Sequence, residues 1–159
     1  MFTAKAELLG AAVVRTASQD TAASLLRDAA TEFVCTARAS ASYPHLAAQA
    51  AQVRDGPRAE VVATGEFAIA ETGSVALDEA AVDRGACFLA ERLWLLVPER
   101  AIVPTLDVGL QRLGQLIQRG STHPVLMSGP SRTADIERVL TIGVHGPRAL
   151  VIVVVGTQP

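Results

Sequence analysis

Lysine is almost absent from this 159-residue chain, and its scarcity excludes several classes of enzyme. Lys5 is the only lysine, so the chain has no Gly-Lys-Ser/Thr triplet and therefore no Walker A motif for nucleotides. A lysine Schiff base would depend on Lys5, which we expect to lie in a frayed N-terminal segment. The chain also lacks a GxGxxG motif, so the standard dinucleotide fingerprint is missing.

The chain also has few cysteines, a small net charge and no long apolar run. Cys35 and Cys87 lie too far apart in sequence for a CxxC ligand pair, a ferredoxin cluster motif or a disulfide framework, so we expect small buried thiols in a reducing cytosol. The net charge of -2 argues against a nucleic-acid partner. The apolar run Ala149–Val155 is too short to span a membrane. We therefore expect one cytoplasmic domain across residues 1–159, without a membrane span.

Strands and helices are predicted to alternate along the first part of the chain. The predicted elements are a strand over Gly10–Thr16, a helix that starts at Ser18–Asp20 and runs over Thr21–Ala30, a strand over Glu32–Ala37, a helix over Tyr43–Val53 and a strand over Ala59–Thr64. This alternation predicts βαβ units and an α/β fold with a largely parallel sheet.

Further buried strands are predicted over Arg92–Val97 and Ala149–Val155, with a short one at Ala101–Pro104. Between them, Leu106–Arg119 has helical periodicity. Its predicted buried face consists of Leu106, Leu110, Leu113, Leu116 and Ile117, and Gly120 is predicted to end the helix.

A hairpin is predicted around residues 68–77, with Glu71 and Thr72 at its tip. Ala68–Ala70 and Val75–Leu77 form the strands, and Gly73 permits the positive φ that a tight turn needs. Glu71 beside Thr72 could serve as a general base, a nucleophile or an anchor for a substrate hydroxyl. The alternative is a tip that is charged only for solubility.

Polar and cationic residues concentrate after the strand predicted at Pro124–Met127. Gly129-Pro130 forces a turn, and three donors follow it, namely Ser131, Arg132 and Thr133. A short helix is predicted over Ala134–Leu140, with Asp135 and Glu137 in its first turn. A helix N-terminus beside Arg132 would bind a carboxylate or a phosphate; the alternative is a helix cap with a solvated arginine.

A second tight turn, Gly143–Arg148, carries His145 and Arg148 just before the last strand. His145 is the candidate acid or base of this turn, although a lone histidine can also be purely structural. The three histidines and two cysteines share no metal-ligand spacing, so no metal site is predicted.

Three sequence blocks together resemble the LUD domain family, of the lactate utilisation protein C type. They are AIAETGSVAL at Ala68–Leu77, SGPSRTADIE at Ser128–Glu137 and GVHGPR at Gly143–Arg148. The resemblance implies a Rossmann-like mixed sheet with helices on both faces, similar to the sugar-phosphate isomerase and CoA-transferase-like fold. It also implies an accessory subunit of a system that oxidises L-lactate to pyruvate, with no cofactor in this chain and iron–sulfur clusters in partner proteins. The motif residues are Glu71, Thr72, Gly73, Ser128, Gly129, Ser131, Arg132, Thr133, Asp135, His145, Gly146 and Arg148.

Two functional hypotheses follow. In the first, the turns 128–137 and 143–148 bind a small anion such as lactate through Arg132 and Arg148, while His145 accepts the hydroxyl proton and Glu71 orients it. In the second, the chain is a free-standing enzyme of the CoA-transferase or sugar-phosphate isomerase class, with Glu71 as nucleophile or base. A module that only binds partners is a third possibility.

Overall fold

The computed structural model describes residues 1–30, 32–48, 50, 60–133 and 141–156. The described strands are β1 (Ala12–Thr16), β2 (Phe33–Cys35), β3 (Glu60–Ile69), β4 (Ser74–Leu77), β5 (Arg92–Pro98), β6 (Ile102–Val103), β7 (Val125–Met127), β8 (Arg132–Thr133), β9 (Thr141–Ile142) and β10 (Ala149–Val155). The described α-helices are α1 (Phe2–Leu8), α2 (Gln19–Ala29), α3 (Ala37–Ser42), α4 (Pro44–Ala47), α5 (Ala81–Leu89) and α6 (Leu106–Gln118). The helix predicted over Ala134–Leu140 lies outside the described residues.

The main sheet is mixed and largely parallel. Its strand order is β1-β10-β5-β3-β4-β7, and β2 and β6 also pair with β3. β1, β10, β5, β3, β2 and β6 run parallel, whereas β4 is antiparallel to both β3 and β7. β8 and β9 form a separate antiparallel pair. The α/β prediction is confirmed.

Alternate side chains of β10 enter two different hydrophobic clusters, which shows that helices cover both faces of the sheet. Leu150, Ile152 and Val154 pack in the cluster that includes Phe2 and Ala6 of α1 and Cys87 of α5. The intervening residues, Val151, Val153 and Val155, pack in the cluster that includes side chains of α2, α3 and α4. A strand whose successive side chains point to opposite faces needs apolar residues throughout when both faces are covered.

The predicted strands Ala59–Thr64 and Ala68–Ala70 are parts of one long strand, β3. Residues 60–64 of β3 pair with β5, and residues 65–69 pair with β4. Pairing with these neighbouring strands keeps the backbone extended past Gly65. The register with β4 shifts between Gly65 and Phe67, which marks a β-bulge. Gly65 therefore lies in a bulged strand and does not mark a break between strands.

The predicted buried face of α6 is partly wrong. Leu106, Leu110 and Ile117 are 37%, 49% and 54% exposed, whereas Leu113 and Leu116 pack against the core. α6 approaches β3 through Gly109, where a Cβ would overlap the side chain of Ile69. Because α6 packs against β3 at a glycine, its buried face is offset from the leucine ridge that periodicity alone favours.

Three helices, α1, α3 and α5, lie where none was predicted, and the strand predicted over Glu32–Ala37 is shorter in the structure. α1 is anchored by buried Phe2 and Ala6, so the expectation of a frayed segment around Lys5 is wrong. α5 was missed altogether. β2 ends at Cys35 because the Thr36 hydroxyl accepts a hydrogen bond from the Ala39 amide and begins α3 there.

Cys87 is buried and Cys35 is half-buried, and neither is in a disulfide. None of the helices in the described ranges is long and apolar enough to cross a membrane. The same ranges contain no group of three or more histidine, cysteine or acidic side chains that could hold a metal ion.

Glu79 is a buried carboxyl group, 5% exposed, just before α5. The Thr36 hydroxyl donates to it over 2.8 Å, which ties α5 to the start of α3. Burial raises the pKa of Glu79, and the negative charge of Asp83 adds to that rise, while the hydrogen bonds from Thr36 and the Thr64 backbone and the charge of Arg38 oppose it.

We expect Glu79→Gln to flatten the dependence of stability on pH. A raised pKa in the folded state means that the stabilising contribution is complete below the pKa of the unfolded chain and is lost as the pH rises through the folded pKa. As the pH rises from 4 to 8, the free energy of unfolding measured in urea should therefore fall more steeply in the wild type than in Glu79→Gln. Glu99→Gln, at an exposed carboxylate, is the control; parallel curves for the wild type and Glu79→Gln would contradict the expectation.

Candidate functional site

The hairpin tip and the loop after β7 meet through a chain of hydroxyl groups. β4 pairs with β7 in the register Val75 to Met127, so Ser74 and Ser128 lie beside each other at adjoining strand ends. The Ser74 and Ser128 Oγ atoms are 2.6 Å apart, and Ser74 Oγ also donates to Thr72 Oγ1 over 2.8 Å. Two of the three predicted sequence blocks are thus in direct contact.

The loop after β7 is also joined to the loop before β10. Ser131 N donates to Pro147 O over 2.9 Å, and Gly143 N donates to Ser131 O over 3.1 Å. The His145 amide donates to Ser131 Oγ over 3.3 Å. β8 and β9 add a backbone pairing of Arg132 with Ile142. These bonds explain why the second and third blocks lie close together despite the residues between them.

A cavity of about 380 Å³ opens between these two loops. It is lined by Phe88, Val125, Leu126, Met127, Ser128, Gly129, Ser131, Arg132, His145, Gly146 and Pro147. Its volume is in the range of small-molecule sites, and its lining combines an apolar wall with a few polar groups, as such sites do. We call this cavity the Arg132 pocket.

The polar lining of the Arg132 pocket combines one guanidinium, two serine hydroxyls and one imidazole. The guanidinium of exposed Arg132 lies against the backbone of Gly10, just after the C-terminus of α1. A guanidinium can bind a carboxylate through two parallel hydrogen bonds. The hydroxyls of Ser128 and Ser131 and the imidazole of exposed His145 add groups that can exchange hydrogen bonds or protons with a ligand.

Two charged residues of the predicted site, Arg148 and Glu71, do not line the described pocket. The Arg148 Nη1 atom donates to Glu91 Oε1 over 3.0 Å, so its charge is used in an ion pair. The Glu71 Oε2 atom accepts a hydrogen bond of 2.7 Å from the Leu106 amide, at the first turn of α6. Glu71 therefore caps a helix N-terminus, where a carboxylate is favoured.

The remaining predicted residues fall into three groups. Ser128, Gly129, Ser131, Arg132, His145 and Gly146 line the Arg132 pocket. Thr72 and Gly73 lie beside it, in the hairpin turn that contacts Ser128 through Ser74. The side chain of Thr133, and all of Asp135 and Glu137, lie outside what the structure describes. None of these placements tests the predicted roles, which remain predictions.

Sequence reasoning missed Ser74 and the apolar wall of the pocket. Ser74 had a signal, since it directly follows the Thr72-Gly73 turn. Phe88 had none, because its helix was not predicted and its approach to β7 depends on long-range packing.

We expect Glu71→Ala to lower the free energy of unfolding by about 1 kcal/mol, because the capping acceptor for Leu106 is lost. Glu71→Gln keeps an acceptor oxygen and should lose less. Urea unfolding of both variants is the measurement. Because the carboxylate accepts a hydrogen bond from α6, we also expect no borohydride-trapped thioester from acyl-CoA donors; trapping one at Glu71 would support the CoA-transferase hypothesis instead.

The fold and the pocket together define an α/β protein with a small-molecule-sized cavity between two loops. A family model for the LUD domain matches residues 58–155. The chain therefore belongs to the LUD domain family, as the three sequence blocks indicated.

Known proteins that resemble the chain agree with this assignment. Lactate utilization protein C of Deinococcus radiodurans is 39% identical over 103 residues, which cover 62% of this chain and 48% of that protein. Lactate utilization protein C of Geobacillus thermodenitrificans is 33% identical over 98 residues, covering 59% and 41%. The chain thus spans about half the length of the curated relatives it matches.

A solved structure supports the fold. The crystal structure of a DUF162 family protein from Deinococcus radiodurans superposes with a TM-score of 0.68 and 23% identity, covering 98% of this chain and 94% of that chain. At this level of identity, the likeness concerns the fold alone.

Proposed function

We propose that the chain acts in lactate utilisation, as an accessory subunit that binds L-lactate or a similar 2-hydroxy carboxylate in the Arg132 pocket. The observation that carries the proposal is one cavity that brings Arg132, His145 and two serine hydroxyls together. Membership in the LUD domain family and the names of the relatives support the choice of ligand.

In this proposal, Arg132 binds the carboxylate and His145 accepts the proton of the ligand's hydroxyl group. Ser128 and Ser131 offer hydrogen bonds to the remaining oxygens. Glu71 and Arg148 are assigned no direct contact, because their charged groups bind Leu106 and Glu91.

Oxidation of lactate to pyruvate releases two electrons and two protons, so it needs an electron acceptor. Cys87 and Cys35 lie in clusters on opposite faces of the sheet, so the two cannot ligate one iron–sulfur cluster. We therefore assign the electron acceptor to iron–sulfur partner proteins and assign binding and proton transfer to this chain.

The test has a binding arm and an activity arm. Titration of the full chain with L-lactate should shift the backbone amide NMR resonances of residues around Ser131 and His145. Anaerobic purification of the untagged protein from its native extract should recover iron–sulfur partners that reduce a dye in the presence of lactate. Binding of acetate or phosphate in preference to lactate, or a lone protein with no lactate-dependent activity in the extract, would contradict the proposal.

A further inference from the structure

A second cavity lies between α6 and the bulge of β3, separate from the Arg132 pocket. Its volume is about 260 Å³, and it is lined by Glu66, Phe67, Arg112, Gln115, Leu116 and Arg119. None of these residues lines the Arg132 pocket. The bulge between Gly65 and Phe67 places Glu66 at the rim, while buried Phe67 forms part of the floor.

The charges of this cavity are not balanced. Glu66 is paired with Arg38, which lies on α3 and also contacts Asp78. Within the described ranges, neither Arg112 nor Arg119 has an acidic partner at ion-pairing distance. Arg112 is moreover half-buried, and a partly desolvated guanidinium without a counter-ion favours an anion beside it.

The spacing of the three polar residues along α6 and at its C-terminal cap suits a ligand with two neighbouring anionic groups. Arg112 and Gln115 lie in α6 and Arg119 is the residue that caps its C-terminus, and their i, i+3, i+7 spacing keeps them on one side of the helix. Their backbones span roughly 10 Å along the axis, a distance that two arginine side chains can close around one compact ligand. A cavity below about 300 Å³ favours such a compact ligand over a drug-sized one.

We propose that the cavity between α6 and the β3 bulge binds a diphosphate group, held by the guanidiniums of Arg112 and Arg119 with Gln115 between them. Phosphoryl oxygens accept the paired hydrogen bonds of a guanidinium, and two guanidiniums match the charge of a diphosphate better than that of a single carboxylate. The site is independent of the proposed lactate function.

The test is isothermal titration of the full chain with inorganic pyrophosphate at low ionic strength, where exposed charges are least screened. We expect saturable binding of one pyrophosphate per chain. The double variant Arg112→Gln/Arg119→Gln should raise the dissociation constant at least tenfold, and Glu66→Gln should lower it several-fold, because a negative charge leaves the rim.

The matched control Arg15→Gln/Arg27→Gln removes two exposed arginines on β1 and α2, and should leave the dissociation constant within twofold of the wild type. An equal loss in this control, or no saturable binding by the wild type, would overturn the proposal. Titration with ADP distinguishes two possible ligands. If ADP binds more tightly than pyrophosphate, the ligand is a nucleoside diphosphate; if it binds more weakly, the ligand is the free anion. Far-UV circular dichroism and thermal unfolding check that the variants fold.

Discussion

Gly73→Ala is expected to lower the free energy of unfolding by about 3 kcal/mol. Gly73 has φ 69°, in the left-handed region that strains residues with a side chain. A Cβ at this position would also lie 2.5 Å from the Ala6 amide nitrogen and 2.7 Å from the Lys5 carbonyl carbon. Because both atoms belong to the backbone of α1, the helix itself would have to move.

Thermal unfolding should show the same change as a fall in Tm of roughly 10 °C for a domain of this size. Gly114→Ala is the matched control, because Gly114 lies inside α6 and a Cβ there would meet no other atom within 4 Å. That substitution should stabilise the helix by up to about 1 kcal/mol. Equal effects of the two substitutions would show that α1 is not packed on the hairpin tip.

Arg132→Gln is expected to weaken binding of L-lactate to the full chain by about tenfold to a hundredfold. The substitution removes a charge-assisted hydrogen bond to the carboxylate, an interaction of about 1.5–3 kcal/mol. It should leave stability almost unchanged, because Arg132 is exposed and pairs with Ile142 through its backbone. Titration of wild type and variant with lactate, followed by amide NMR, gives the two dissociation constants.

The control for Arg132→Gln is Arg27→Gln, which removes an equal charge from an exposed arginine on α2. Among the hydrogen bonds that the structure describes, the Arg27 side chain bonds only to the nearby Ser24. Lactate affinity that falls equally in both variants would reflect the overall charge of the protein. Unchanged affinity in Arg132→Gln would exclude Arg132 as the carboxylate ligand and leave the pocket without its proposed anchor.

Most of the strands and the two long helices were predictable because their signals are local. The β-branched run at 149–155 predicts β10 with the observed bounds, since a strand covered on both faces needs apolar residues throughout. Ser18 likewise predicts the start of α2, where its side chain accepts a hydrogen bond from the Thr21 amide. The boundaries at Gly65 and Cys35 were less predictable, because strand pairing and capping by Thr36 decided them.

The sequence identifies most of the residues of the candidate site, but it does not show how they are arranged in space. The blocks around Ser128 and His145 contain the polar lining of the pocket because glycine, serine and arginine between two apolar runs are visible in sequence. Glu71 and Arg148 show the limit of that reasoning, since both were assigned to the site by their residue type and their block. Their actual partners, Leu106 and Glu91, are 35 and 57 residues away in sequence.

The sequence alone determined the α/β class, the order of the main strands along the chain and the concentration of polar groups in two loops, because local periodicity and turn chemistry encode these features. The tertiary structure decided which of those groups meet. The β4–β7 register joins Ser74 to Ser128, the approach of α6 at Gly109 exposes three apolar side chains, and α1 covers the hairpin tip at Gly73. Each of these outcomes depends on contacts between distant segments, which are set by packing in three dimensions and leave no local pattern in the chain.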